Sequence, residues 1–382
     1  MTTAAQTEQP RPALRVAFVI ASLGFGGAQR ALANMVNRWS ARGGLRPEIL
    51  VLEAETAPAY PLAPGVDVRW LGLTGDSPSA AAKIANNLRR ISGLRRAIRE
   101  ARPDVVVAFQ DVTNVLTLLA CLGTGLPVVA SERVHPARHR IGPLWGALRR
   151  LAYPLADALV VQGRDIARWF PHSLQRRIRV IPNPVPSPAA ATARPAQGER
   201  RTLLAAGRLH PQKGFDLLLD AFARLAGSHP DWDLAILGEG PERGRLEAQA
   251  QALGLADRVR LPGALAPMDA HYFGADVFVL PSRFEGFPNA LAEAMAHGVA
   301  VLAADCPGAV RDLVRPGVNG LLAPAEDVPA LAQGLALLFD SPEERLRLGA
   351  AAREVARRFD EDAVLDQWEQ LLRNLCRGVP CT

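Results

Sequence analysis

Short runs of apolar residues alternate, along nearly the whole chain, with longer stretches whose apolar positions recur every three or four residues. The runs predict strands at 15–21, 48–52, 66–71, 104–109, 127–131 and 157–161. After residue 200 they predict strands at 202–206, 233–237, 258–261, 276–280, 300–304 and 320–322. Several are apolar at every position, as in Val105-Val106-Val107-Ala108. Such a strand is covered on both faces, which is the mark of a parallel sheet. Segments such as 80–101 and 329–339 between them carry helical spacing. Repeated strand–helix units imply doubly wound α/β sheets. Ligands of such sheets bind beyond the carboxyl ends of the strands. The segment from Arg11 to Ala28 imitates a secretion signal, but its apolar core, Val16-Ala17-Phe18-Val19-Ile20, is short and runs into a glycine-rich turn. It reads as a first buried strand.

The pattern breaks at residues 182–200, where Pro-Asn-Pro-Val-Pro-Ser-Pro leads into an Ala/Pro-rich stretch. Proline supports neither helix nor ladder, so this stretch is a linker. The chain of 382 residues then divides into a first domain over 1–185, a linker over 186–200, and a second domain over 201–360. A tail over 361–382 carries Val364, Trp368, Leu371, Leu372 and Leu375 at helical spacing. Length agrees with two domains at roughly 100–200 residues each. Two facing domains make a cleft.

Composition sharpens this picture in three ways. Hydrophobic residues at 49% and charged residues at 21% exclude whole-chain disorder. Charge is uneven: 26 Lys and Arg face 13 Asp and Glu through residue 200, against 18 and 25 after it. A basic first half suits phosphate-bearing ligands, nucleic acid or an anionic membrane. Nucleic acid is disfavoured, because no aromatic-interleaved basic groove or named motif is present. Cys121, Cys306, Cys376 and Cys381 are too sparse for a disulfide scaffold and lack zinc spacing, so a cytoplasmic setting is expected. No 18-residue apolar run predicts a spanning helix.

The strongest chemical signal is Phe284-Glu285-Gly286-Phe287-Pro288-Asn289-Ala290-Leu291-Ala292-Glu293. Pro288 suits a first helical position, and Phe287 before it cannot cap. The amides of Asn289, Ala290 and Leu291 then lack a side-chain acceptor, and a phosphate can supply one. Glu285 is placed to take hydroxyls of a sugar, and Glu293 those of a ribose. The second signal is Gly207-Arg208-Leu209-His210-Pro211-Gln212-Lys213-Gly214 after a strand. A guanidinium and an ammonium there would stabilise a departing diphosphate. Lys213 stands out, since the only other lysine is Lys83. Gly26 and Gly27, in Gly24-Phe25-Gly26-Gly27-Ala28-Gln29-Arg30, permit close approach of backbone to a phosphate or sugar. The spacing is not the dinucleotide fingerprint, and Gly238-Glu239-Gly240 reads as a strand-to-helix turn. Glu132, Arg133 and His135 follow the fifth strand and face the cleft as sugar or acceptor contacts.

Other polar groups read differently. Asp231 and Asp233 lie where a strand begins and read as surface charges; His135 and His139 lack a nearby acidic pair, so no metal site is expected. Basic and aromatic residues from Arg138 through Arg140, Trp145, Arg149, Arg150 and Tyr153 resemble a membrane-surface segment. Arg89, Arg90, Arg95, Arg96 and Arg99 add charge on another helix.

Together these motifs resemble family-4 glycosyltransferases, retaining enzymes of the GT-B fold, over nearly the whole chain and in order. The E-x7-E element from Glu285 to Glu293 is the most specific part, followed by Gly207-Arg208-Leu209 with Lys213-Gly214. Ile181-Pro182-Asn183-Pro184-Val185 resembles the family's interdomain connection, and Gly26-Gly27 its first-domain glycine loop. The resemblance implies that the first domain serves the acceptor and the second binds a nucleotide-sugar. Arg208 and Lys213 would hold the diphosphate, Glu293 the ribose, and Glu285 the donor sugar. Gly286 through Leu291 would line the donor, Leu265 would edge the base, and Gly27 would approach the distal phosphate or acceptor. The last helix would return to the first domain. The loop Ser131-Glu132-Arg133 is closer to a subgroup that builds bacterial surface polysaccharides and lipid-linked oligosaccharides, which leaves His135 an uncertain match to the family's catalytic-loop histidine.

The implied activity is retaining transfer of a hexose or N-acetylhexosamine from a UDP-linked donor to a lipid-linked or polysaccharide acceptor. The nucleotide-sugar is a substrate, and no cofactor or divalent metal is expected. Alternatives are a sugar-nucleotide epimerase or phosphorylase on the same fold, or a non-catalytic nucleotide-sugar-binding protein. Peripheral contact with the cytoplasmic face of an anionic inner membrane is the expected setting.

Overall fold

The computed structural model describes residues 13–75, 79–139, 141–188, 200–265 and 267–378. Arg11, Arg140, Cys381 and residues 189–199 of the linker lie outside them. The apolar runs become strands in two sheets. The first holds β1 (Leu14–Ile20), β2 (Leu45–Val51), β3 (Asp67–Trp70), β4 (Val105–Phe109), β5 (Val128–Ser131), β6 (Ala158–Val161) and β7 (Ile178–Val180), in the order β3-β2-β1-β4-β5-β6-β7. The second holds β8 (Arg201–Ala206), β9 (Trp232–Leu237), β10 (Val259–Gly263), β11 (Val277–Leu280), β12 (Ala300–Asp305) and β13 (Leu321–Pro324), in the order β10-β9-β8-β11-β12-β13. Every pairing between them is parallel. Only β7 escapes the sequence pattern: three residues at a sheet edge, Ile-Arg-Val, are too short to show a period.

The core follows from strands covered on both faces. Along β4, Val106 and Ala108 enter one apolar cluster while Val105, Val107 and Phe109 enter the other. The second sheet is likewise sandwiched between two clusters. Helices Gly27–Arg42 and Glu361–Cys376 cover the same face of the first sheet. The C-terminal helix thus packs on the first lobe, with Val364, Leu365, Trp368, Leu371 and Leu372 buried. Trp39, Phe18, Phe109 and Trp368 form a continuous aromatic series, with adjacent centroids 5.6, 6.2 and 6.4 Å apart. Each such burial contributes roughly 2–3 kcal/mol. Ion pairs Arg38–Asp362 (3.0 Å) and Arg42–Asp366 rim the contact. The connection is anchored at its near end: Val185 sits in the second-lobe core, and its N–H donates to the Phe359 carbonyl at 2.9 Å.

Strand order reverses between β1 and β4 in the first sheet and between β8 and β11 in the second. At each reversal the helices leave to opposite faces, and a crevice opens beyond the carboxyl ends. The Gly26-Gly27 loop follows β1, the Arg208–Lys213 loop follows β8, and the Glu285–Glu293 segment follows β11. The fold therefore gathers three distant motifs at two facing crevices.

Two readings need correction here. Asp233 is buried rather than a surface charge, held by Arg200 (2.5 Å) and Arg258 (3.2 Å). Its partner Asp231 pairs with Arg201 at 3.3 Å. Arg149 is also buried, 5.0 Å from the Trp169 ring centroid, so it is not a surface cation. Arg90 and Arg95 donate to backbone carbonyls of Leu73, Ala120 and Leu122 and belong to the lobe's structure. Among the described residues, no helix is long and apolar enough to cross a membrane.

Candidate active site

The loop after β8 is tied to the loop after β11. Gln212 donates its side-chain amide to the Phe284 carbonyl (2.9 Å), and the Arg283 N–H donates to the Gln212 carbonyl (2.8 Å). Gly214 closes the loop with φ 66°, where an added Cβ would stand 2.1 Å from the Pro281 carbonyl oxygen. No other residue meets both demands. This bracing presents Lys213 Nζ to Glu285 Oε1 at 2.6 Å. The Ser282 hydroxyl donates to the same oxygen at 2.7 Å. Glu285 is buried, and its Oε2 has no acceptor duty toward a described residue. Arg208 is exposed and forms no hydrogen bond or ion pair with a described residue. Burial, with Arg208 next, holds the His210 imidazole below its ordinary value.

The helix after Glu285 spans Asn289–Ala296 and begins with no side-chain cap. Pro288 is its cap residue rather than its first helical position, and the Asn289 N–H already donates to the Phe287 carbonyl at 2.9 Å. The amides left for an anion are therefore those of Ala290 and Leu291. The side chains of Phe287 and Leu291 lie in the second-lobe core, so only their backbone can serve a ligand. Glu293 is buried on the cleft side. Its Oε2 accepts from the Tyr272 hydroxyl at 2.9 Å, and its Oε1 is paired with Arg30 of the first lobe. Burial alone would pull the Arg30 guanidinium down, but Glu293 more than reverses this. Burial, with Glu293 next, pushes the Tyr272 hydroxyl well up.

The first lobe supplies Gly26, the uncapped start of helix Gly27–Arg42. A Cβ added to Gly27 would stand 3.5 Å from Asn289 Nδ2, which places the two across the cleft. A Cβ on Gly286 would fall 2.0 Å from the Arg133 carbonyl oxygen, so glycine is what lets the lobes touch there. Leu265 is exposed beyond β10, two strands from β8.

Glu132, Arg133 and His135 are buried just after β5, with the Arg133 carbonyl oxygen lying against Gly286 of the second lobe. Glu132 accepts from the Tyr153 hydroxyl at 2.6 Å. Burial, with Asp111 next, raises its carboxyl to about 7. Arg133 lies 4.1 Å from the Phe109 centroid and donates to Asn183 at 2.7 Å. With no carboxylate beside it, burial lowers its guanidinium to about 9. His135 Nε2 is 3.4 Å from Asp165, while its Nδ1 accepts from the Ala137 N–H. His139 Nδ1 is 2.7 Å from Asp111, and that bond raises its imidazole above the ordinary value. Both histidines thus have acids, supplied from distant sequence, but they face different ones. His139 lies close enough for its charge to depress His210 across the cleft. Among the described residues, no three His, Cys, Asp or Glu side chains gather as a metal site.

Sequence reading missed Arg30, Tyr272, Asn183, Asp111 and His139. Arg30 carried a signal, one turn past the Gly26-Gly27 pair. Asn183 stood in the connection motif but was read only as a joint. Tyr272 gave none.

Fold and site define a class: a two-lobed α/β protein with a cationic loop and an uncapped helix start in its second crevice. Residues 25–187 match the model for Glycosyltransferase Family 4, and residues 190–355 match that for glycosyl transferases group 1. A phosphatidyl-myo-inositol mannosyltransferase of Mycobacterium leprae is 36% identical over 285 residues, 72% of this chain and 75% of that one. A Campylobacter jejuni alpha-1,4-N-acetyl-D-galactosaminyltransferase, named for an undecaprenol-diphosphate-linked saccharide, is 27% identical over 94% of this chain and 98% of its own. An exopolysaccharide phosphotransferase of Streptomyces coelicolor is 29% identical over 92% of this chain, which spans only 39% of that protein. The solved structure of Anabaena HepE with UDP and glucose covers 94% of this chain and 99% of its own, with TM-score 0.77 at 19% identity. The chain belongs to glycosyltransferase family 4. It is a transferase enzyme of the GT-B fold.

Proposed function

We propose that the chain transfers a hexose or N-acetylhexosamine from a UDP-linked sugar to a hydroxyl of a lipid-linked or polysaccharide acceptor, with retention at the anomeric carbon. The observation that carries this reading is the pair of half-buried Lys213 with buried Glu285 at 2.6 Å, set between exposed Arg208 and the uncapped helix start at Pro288. Arg208, Lys213 and the amides of Ala290 and Leu291 form a cationic cradle for a diphosphate. Glu285 Oε2 remains to accept from a sugar hydroxyl. Each oxygen of Glu293 has one lone pair beyond its present partner, enough for two ribose hydroxyls.

In this arrangement the bond from the anomeric carbon to the phosphate oxygen breaks first. Its electron pair passes to the diphosphate, whose charge Arg208 and Lys213 stabilise. The acceptor hydroxyl attacks the same face, and its proton passes to the departing phosphate oxygen. Positioning and electrostatics supply the rate. The UDP in the HepE complex and the lipid-linked saccharide in the Campylobacter protein's name support the donor and acceptor classes. Because the cradle is already cationic, turnover is expected to continue in chelator.

The test is calorimetric binding of UDP, GDP and ADP, in chelator, to wild type and to Arg208→Ala/Lys213→Ala. Selective UDP binding that is lost in the double variant is the expected result. Each single variant should lower turnover by at least about 10²-fold. Near-normal rates in both would overturn the assignment.

A further inference from the structure

Arg133 is buried without a carboxylate, and its Nε and Nη2 atoms find no partner among the described residues. Its Nη1 donates to Asn183 Oδ1 at 2.7 Å, and Asn183 Nδ2 donates to Asn289 Oδ1 at 2.8 Å. Gln162 lies against the same group, within reach of Asn183 and the Arg133 carbonyl. A guanidinium has donors only, so it sets the direction of everything after it. Asn183 must turn its oxygen to Arg133 and its nitrogen to Asn289. Asn289 must then turn its oxygen to Asn183 and its nitrogen outward. That nitrogen faces Gly27 across the cleft and donates to no described residue. It stands at the start of the helix, directly before the free amides of Ala290 and Leu291.

We infer that Arg133 and Asn183 are positioning residues: they lock the Asn289 carboxamide with its N–H toward the cleft, as a third donor for the diphosphate. The inference rests on the donor-site reading above. Hydrogen bonds in series polarise one another, so a buried cation in the first lobe sharpens a donor on the second. Asn183, just after β7 and between the two, makes the relay depend on how the lobes meet.

The discriminating variant is Asn183→Asp. Its carboxylate matches the asparagine in size and pairs with the buried Arg133 guanidinium, so the fold is kept and the thermal midpoint does not fall. It cannot donate to Asn289, whose carboxamide turns over and presents oxygen to the phosphate. UDP affinity, measured by calorimetry, should fall about tenfold, as for one lost hydrogen bond to a charged group. Asn289→Ala should lose a similar amount. In the Asn289→Ala background, Asn183→Asp should have no further effect, because its only route to the ligand is gone. Equal losses in both backgrounds would mean a general structural effect and overturn the relay. Unchanged affinity in Asn183→Asp with intact folding would overturn it as well. Arg208→Ala separates the two readings. If it weakens UDP while Asn183→Asp and Asn289→Ala do not, only the relay fails. If neither wild type nor any variant binds UDP, GDP or ADP, the donor site fails and the relay falls with it.

Discussion

Glu132 shows how burial turns an ordinary carboxylate into a pH-dependent element. It sits behind Ser131 at the end of β5 with the Tyr153 hydroxyl on one oxygen, and its carboxyl titrates at about 7. The unfolded chain would release that proton near the usual glutamate value. Between the two, the folded state binds more protons than the unfolded one, so stability falls as pH rises toward about 7. A rise from 4.5 to about 7 corresponds to roughly 3 kcal/mol. Glu132→Gln keeps the acceptor for Tyr153 and removes the titration. Its thermal midpoint should change less between pH 5 and 8 than that of wild type, and should exceed it at pH 8. A slope matching wild type would exclude Glu132 as the source. Nothing in the local pattern around Ser131-Glu132-Arg133 disclosed this, because a loop residue after a strand reads as polar and exposed. Glu285, Glu293 and Lys213 were legible for the opposite reason. Their spacing and the helix between them are set within ten residues of chain or by one turn after a strand. Their partners were not, since Arg30 is 263 positions from Glu293 and Asn183 is 106 from Asn289.

Among the elements, helix Asn289–Ala296 starts without a side-chain cap, as does helix Gly27–Arg42 on the facing lobe. Four other helices close theirs: Ser79, Asp327, Ser341 and Asp360 each accept from an amide three residues on. A side-chain cap contributes about 1 kcal/mol. Pro288→Asp should therefore hold or raise the thermal midpoint while weakening UDP, because the new carboxylate occupies the amides and repels the phosphate. Unchanged UDP affinity, with the cap formed, would mean that this helix start does not hold the diphosphate. The strands show the same division between local and distant control. Runs such as Val105–Phe109 declare themselves through apolar residues at every position, whereas Ile178–Val180 is a strand only because β6 lies beside it. Pro288 was placed one residue too far into its helix because proline tolerates both the first turn and the position before it.

Over the whole molecule, the first lobe carries exposed apolar side chains beside exposed arginines. Leu144, Leu151, Leu155 and Trp169 are exposed, with Leu151 at 74%, and Arg138 and Arg150 are exposed near them. A face of this composition suits an anionic membrane. Arg149 takes no part, being buried beside Trp169. The variant Arg150→Glu/Leu151→Asp changes only exposed positions. It should abolish co-sedimentation with phosphatidylglycerol-containing vesicles and leave UDP binding intact, and wild-type binding should weaken with salt. If wild type never sediments with such vesicles, this face has another purpose. By itself the sequence determined the two parallel sheets, the joint between them, and the motifs that follow β1, β8 and β11. These depend on hydrophobic periodicity and turn chemistry, which neighbouring residues control. Only the tertiary structure decided that Arg133 is buried and bonded to Asn183, that Arg30 closes on Glu293, and that Asn183 donates to Asn289. Each of those depends on which groups meet across the lobes after loop closure, and on the loss of water around them. Neither is encoded within any single segment.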